Sequence, residues 1–177
     1  MENKNVLSEK LENVFIASVI IITVAFMRII PHIPNLAPVG GLALFSGAHL
    51  NKKWAILLPL GAMIVSDIIL GFHSTIFYVY GSFILITFLG QRLKKNPSAR
   101  SLLSISLVSS TLFFFITNFG VWAATPLYSK DVAGLTSSFV MGLPFFRNTI
   151  LGDLLYTFVF FYGFSYIKNL RFRFNFT

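Results

Sequence analysis

The sequence predicts an all-α integral membrane protein of six transmembrane helices, and three observations carry that prediction. Of its 177 residues, 55% are hydrophobic and 11% charged, against roughly 45–50% and 25% in a soluble domain. Six apolar runs divide the chain, and at about 20 residues per crossing they leave only ends and connections besides. The basic residues then gather at one set of those connections.

The elements follow in order. Residues 1–13, MENKNVLSEKLEN, form a polar leader, read as cytoplasmic. The first apolar run, Val14 to Ile30, closes on Ala25-Phe26-Met27-Arg28 without the small-residue cleavage site of a signal peptide, so it is a retained helix. Leu36 to Leu50, LAPVGGLALFSGAHL, is short and glycine-rich, which suits a thin helix inside the bundle, with Ala43 and Gly47 as a small-xxx-small pair. Trp54 to Phe72 makes a third span, kinked or tolerated at Pro59, and Ile76 to Gly90 a fourth. RLKKNPSAR, Arg92 to Arg100, is a water-exposed loop before the fifth span, Leu102 to Trp122. A long loop, AATPLYSKDVAGLTSSFVMG, precedes the sixth span, Pro144 to Ile167, with Pro144 in the first helical turn where its missing N–H costs nothing. The six spans occupy a single domain, 14–167, and a basic tail, 168–177, completes the chain.

With the N-terminus in the cytoplasm, Lys4, Lys10, Lys52, Lys53, Arg92, Lys94, Lys95, Arg100, Lys168, Arg171 and Arg173 all lie inside, 11 of the 14 Lys and Arg residues. Only Arg28, Lys130 and Arg147 lie outward, so the positive-inside rule predicts both termini cytoplasmic in a multi-pass protein of a bacterial inner membrane. A faint internal echo links PLGAMIVSDIILGF from Pro59 with PFFRNTILGDLLYTF from Pro144, each setting an Asp shortly after a Pro. Three helices per half would make an inverted repeat.

Several chemistries lack their residues. The chain has no cysteine, so disulfides and thiolate chemistry are out, and no Gly-Lys dipeptide, so it has no phosphate-cradling loop of its own. All glutamates, Glu2, Glu9 and Glu12, sit in the leader, and no His pair has HExxH spacing. An aspartyl dyad of Asp67 and Asp153 is conceivable, but Ile150-Leu151-Gly152-Asp153 lacks the first Gly of a GxGD motif. The expectation is a protein that is not an enzyme and carries no cofactor and no metal.

A charge within a bilayer costs roughly 2.5–3.5 kcal/mol at mid-helix, and four such residues stand out: Arg28, Asp67, Arg147 and Asp153. All four fall toward the outer side. Arg28 with Asp67 is a candidate structural ion pair. Arg147 and Asp153, six positions or about 240° apart on a helix, each need a partner from another helix, water or a ligand. Around them lie His32 and Asn35 in the stiff PHIPN segment, His73 in a turn, Tyr78 and Tyr80 at the start of the fourth span, and Asn118 and Trp122 on one face of the fifth. Polar anchors among aromatic walls make a candidate binding pocket, although Tyr78, Tyr80 and Trp122 also suit an interfacial belt and Asn118 an interhelical hydrogen bond.

Four ordered blocks, RIIPHIPNLAPVGGLALFSGAHL, PLGAMIVSDIILGF, ITNFGVWA and GLPFFRNTILGDLLYT, resemble a family of small bacterial membrane proteins of unknown function described as putative transport proteins. More remotely, the six-span plan resembles the S components of energy-coupling-factor vitamin transporters, and among them the cobalamin-transporting BtuM family. That resemblance implies an S-component-like bundle, a vitamin held in an outward pocket, and a borrowed coupling subunit with ATPases. It carries pocket residues onto His32, Asp67, Tyr80 and Arg147. Where the BtuM family uses a cysteine as cobalt ligand, this chain offers only His73 or nothing, and the Ala-xxx-Ala docking patch of S components is met here by Ala17 and Ile21, with Ala25 next on that face.

The resulting expectation is a substrate-binding membrane subunit of a transporter for a small vitamin- or cofactor-type molecule, a corrinoid or another vitamin. Arg147 and Asp153 would anchor it, with His32, Asp67, Tyr80 and Asn118 supporting. Its partners would be that substrate, the lipid bilayer and a coupling module, and not nucleic acid. The alternative is a structural or assembly subunit whose outer polar cluster is an ion-pair network.

Overall fold

A computed structural model describes residues 2–31, 33–93 and 97–174, with side chains described for 14–31, 33–93 and 97–166. The described chain is all-α: α1 (Glu2–Ile29), α2 (Val39–His49), α3 (Lys52–Leu70), α4 (Ile76–Gly90), α5 (Ala99–Ala124) and α6 (Val132–Phe174). Two of these, α3 and α5, are long and apolar enough to cross a membrane, and Val14–Ile29 and α4 are shorter apolar helices.

The helix ends follow from local chemistry. Asn51 caps α3 by accepting from Trp54 N, and Ser98 caps α5 by accepting from Ser101 N. Gly71, at φ 95°, ends α3 in the left-handed region that glycine enters without strain. Asp131 Oδ1 accepts from Gly134 N at 2.7 Å and so starts α6 at Val132.

That start corrects the sequence reading of the sixth element. The helix begins twelve residues before Pro144 (144 minus 132), which lies inside it rather than in its first turn. The expected long loop shrinks to residues 125–131, folded on itself: Trp122 Nε1 donates to Ser129 O at 2.9 Å, and Lys130 Nζ donates to Thr125 O at 2.6 Å and to Trp122 O, covering the last carbonyls of α5.

Packing places α2 at the centre. It touches α3, α4, α5 and α6, while α1 packs on α3, α3 on α4, α4 on α5 and α5 on α6. Each of the five surrounding helices exposes large apolar side chains, among them Phe15, Ile68, Phe77, Leu103 and Leu155, whereas α2 exposes none. Glycines let α2 come this close. A Cβ on Gly47 would lie 2.1 Å from Thr87 O, and one on Gly41 would lie 2.7 Å from Thr157 N. The sequence expectation of a thin internal helix holds for this element.

Pro59 sits within an unbroken α3. Having no N–H, it leaves Ala55 O without its intrahelical donor, and Ser46 Oγ of α2 supplies one at 2.8 Å. A buried carbonyl is thus satisfied from the neighbouring helix, which is how a proline is tolerated in such packing.

Candidate functional site

At the end of the bundle where α1 stops and α2 begins, a cavity of about 210 Å³ is lined by Arg28, Asn35, Met63, His73, Thr149 and Asp153 among others. All six described helices contribute walls, together with Asn35 and Ala37 of the connection before α2 and His73 of the turn before α4. Asn35 turns that connection by adopting φ 64°, a conformation asparagine tolerates better than most residues. Leu36 N donates to Ile33 O, and Asn148 Nδ2 on α6 holds Pro34 O at 3.0 Å.

Arg28 is fixed from two sides. Its Nη1 donates to Asp67 Oδ1 at 2.5 Å and to Ser66 Oγ, and Tyr80 donates to Asp67 Oδ2 at 2.8 Å. Asp67 is 1% exposed and Arg28 19%, and theirs is the one ion pair among the described residues. Because Nη1 alone makes these contacts, Nε and Nη2 keep their hydrogens without a partner among the described residues.

Asp153 is built differently. It is 5% exposed, it accepts from Ser110 at 2.7 Å, and it faces no cation among the described residues. Gly40 makes room for it, since a Cβ there would lie 2.0 Å from Asp153 Oδ1. The contacts Ser110–Asp153, Phe83–Phe113 and Tyr80–Asp67 set Asp153 near the level of Ile86, six residues down α4 from Tyr80.

Of the residues singled out in the sequence, Asp67, Tyr80 and Arg28 form one network, and of these Arg28 lines the same cavity as Asp153. Arg147 is not brought to it: the side chain is exposed and does not line the cavity. Asn118 also lies elsewhere, donating to Phe114 O and lying against Gly142, where a Cβ would come 2.3 Å from its Oδ1. His32 falls outside the described residues. Asp67 and Asp153 bond different partners and share no hydrogen bond, so they do not form a dyad.

Sequence reasoning passed over Thr149 and Ser110. The signal was spacing: Thr149, Asp153 and Thr157 recur every four residues on α6, as do Ser106 and Ser110 on α5, each set on one helix face. It also passed over a larger cavity, about 980 Å³, at the opposite end. That one lies between α1 and α6 over α2, with Ile16, Phe45, His49, Trp54, Phe161 and Phe164 in its walls. His49 stacks on Phe45, with ring centroids 4.5 Å apart. Among the described residues, no group of three His, Cys, Asp or Glu is arranged to hold a metal.

Fold and site together define an all-helical bundle, apolar outside, with a small cavity at one end whose walls carry a few polar groups among apolar ones. The chain belongs to a family of unknown function, DUF6580, whose model matches residues 8–174. No curated protein and no solved structure matches it.

Proposed function

We propose that this protein spans the membrane six times with both termini in the cytoplasm, and captures a small water-soluble molecule from the outer side as the substrate-binding subunit of a transporter. The observation that carries the reading is that Arg28 and Asp153, which do not pair with each other, line one cavity. The free edge of a guanidinium takes a carboxylate or phosphate bidentately. Asn35, His73 and Thr149 add hydrogen-bonding groups around the same space. In a site removed from water each of these contacts gains strength. The anchoring role expected of Arg147 passes to Arg28, and Asp67 with Tyr80 become residues that hold Arg28 in place.

Size narrows the ligand. A cavity of about 210 Å³ falls below the roughly 300–1,000 Å³ of sites for drug-sized ligands, so a compact anion suits it and a corrinoid does not. The S-component likeness remains a likeness of plan, with a bacterial inner membrane as the setting and coupling partners outside the chain. No catalytic role is part of this reading.

The membrane arrangement is open to a clean test because the chain has no cysteine. Lys130→Cys should react with a membrane-impermeant maleimide in intact cells, and Lys53→Cys only after lysis; the reverse pattern contradicts the topology. For capture, purified protein is screened by thermal shift against small carboxylates and phosphates. Stabilisation by at least one of them, lost in Arg28→Lys, supports the reading, and indifference to the whole panel counts against it.

A second reading has its own support in the Arg28–Asp67–Tyr80 network, which ties α1, α3 and α4 together. On that reading the polar groups serve assembly alone.

A further inference from the structure

We propose that the junction of α2, α5 and α6 holds a monovalent alkali cation, bound by the Asp153 carboxylate and the hydroxyl oxygens of Ser106, Ser109, Ser110 and Thr157. The site goes beyond the capture reading and stands without it.

Hydroxyls inside helices usually satisfy themselves by donating to the carbonyl one turn back. Ser18, Ser66, Thr87, Thr111 and Thr117 all do so here. Ser106, Ser109 and Thr157 do not: each is fully buried, and each hydroxyl oxygen lacks a hydrogen-bond partner among the described residues. A buried hydroxyl left unsatisfied forfeits its hydration without replacement, so three in one place call for a guest.

They are in one place. Asn118 against Gly142, Phe114 against Phe146 and Ser110 against Asp153 show α5 and α6 running antiparallel. One turn further along, Ser106 therefore comes level with Thr157. Ser109 lies three residues from Ser106 along α5, and α2 closes the junction, with Gly40 against Asp153 and Gly41 against the Thr157 backbone.

The donor set selects the guest. It is all oxygen, the ligand type of hard cations. One carboxylate supplies a single negative charge, which neutralises a monovalent ion; a divalent one would leave a net charge in a low-dielectric interior, where an unpaired charge is heavily penalised. Ser110 can turn with the ion's arrival. Its hydroxyl has a second acceptor in Ser106 O at 3.0 Å, so its hydrogen can move there and free a lone pair for the cation. Asp153 also lines the cavity at the Arg28 end, which gives an ion a route in.

The test uses the full-length protein in detergent, melted in NaCl, KCl or choline chloride at constant total salt and without organic ligand. A bound ion raises Tm in proportion to the logarithm of its concentration above its Kd. The wild type should show that rise in NaCl or KCl and not in choline chloride. Thr157→Val and Ser106→Ala should melt no lower than wild type in choline, because each removes an unsatisfied hydroxyl, yet lose about tenfold or more in apparent cation affinity, the scale of a disturbed metal site. Asp153→Asn should abolish the response. A flat wild-type Tm in every salt would overturn the proposal, as expected if water alone satisfies the hydroxyls. So would full cation response in Thr157→Val and Ser106→Ala, which keeps the test decisive even if Asp153→Asn fails to fold.

Discussion

Two buried carboxylates, Asp67 and Asp153, are treated in opposite ways. Asp67 is closed: an arginine and a tyrosine from α1 and α4 take both its oxygens. Asp153 is open, with one serine donor and, in the turns around it, three hydroxyls that have no partner among the described residues. A satisfied charge fixes helices in one arrangement, whereas an unsatisfied one stores a free-energy deficit that only a guest can relieve. The first region explains how the bundle is held, and the second suggests where it acts.

The largest effect should come from breaking the closed region. Asp67→Ala leaves Arg28 uncompensated, and removing one partner of a buried pair costs about 3–5 kcal/mol; with Arg28 19% exposed, the loss should fall near the lower end. Chemical denaturation in detergent reads it. A Tm within a degree or two of wild type would mean that the network holds nothing.

Next comes Gly40→Ala, whose new Cβ would meet Asp153 Oδ1 at 2.0 Å. Overpacking of this kind costs about 1–3 kcal/mol and should displace the carboxylate. Gly81→Ala is its control, since nothing lies within 4 Å of a Cβ there, and helix propensity favours that change by about 0.5–1 kcal/mol. Equal effects at the two sites would remove close packing as the reason for Gly40.

A smaller and more pointed contrast pairs two serines. Ser46→Ala takes away the donor to Ala55 O beneath Pro59 and should cost about 1–2 kcal/mol. Ser106→Ala removes a hydroxyl that bonds nothing among the described residues and should be neutral or stabilising in choline chloride. Equal losses in thermal melts would erase the distinction between satisfied and unsatisfied hydroxyls.

The smallest effect lies outside both regions. The Gly134 backbone N–H, and then the Ser129 hydroxyl, hold the Asp131 carboxyl below the usual carboxylate range. A carboxyl lowered on folding contributes stability above its unfolded pKa, and that contribution is lost as pH falls through the folded value. Melting temperature should therefore drop more on acidification below about pH 4 in wild type than in Asp131→Asn, which still caps the helix but does not titrate.

How much of this was legible depended on the kind of signal. Apolar runs located all six helices, because burial and propensity act locally, and Pro-Val-Gly-Gly marked α2 as the thin internal element. The start of α6 was misjudged because Pro144 is a stronger visual stop than the cap at Asp131, whose Oδ1 reaches Gly134 three residues on. In the sequence Arg28 and Arg147 are both isolated charges near a helix end, Arg28 read as the candidate partner of Asp67 and Arg147 as the candidate ligand anchor. Only packing separates them, turning Arg28 against α3 and leaving Arg147 exposed. The Ser110–Asp153 contact joins residues 43 apart and depends on helix register, which no single run of residues encodes.

The most direct measurement asks which arginine matters. Protein purified from cells in mild detergent is denatured and any released small molecule identified by mass spectrometry, for wild type, Arg28→Lys and Arg147→Ala in parallel. Wild type and Arg147→Ala should release the same compact anion, and Arg28→Lys, which keeps the charge but loses the fork, should release little of it. Release from Arg28→Lys at the wild-type level, or its loss from Arg147→Ala alone, would contradict the account.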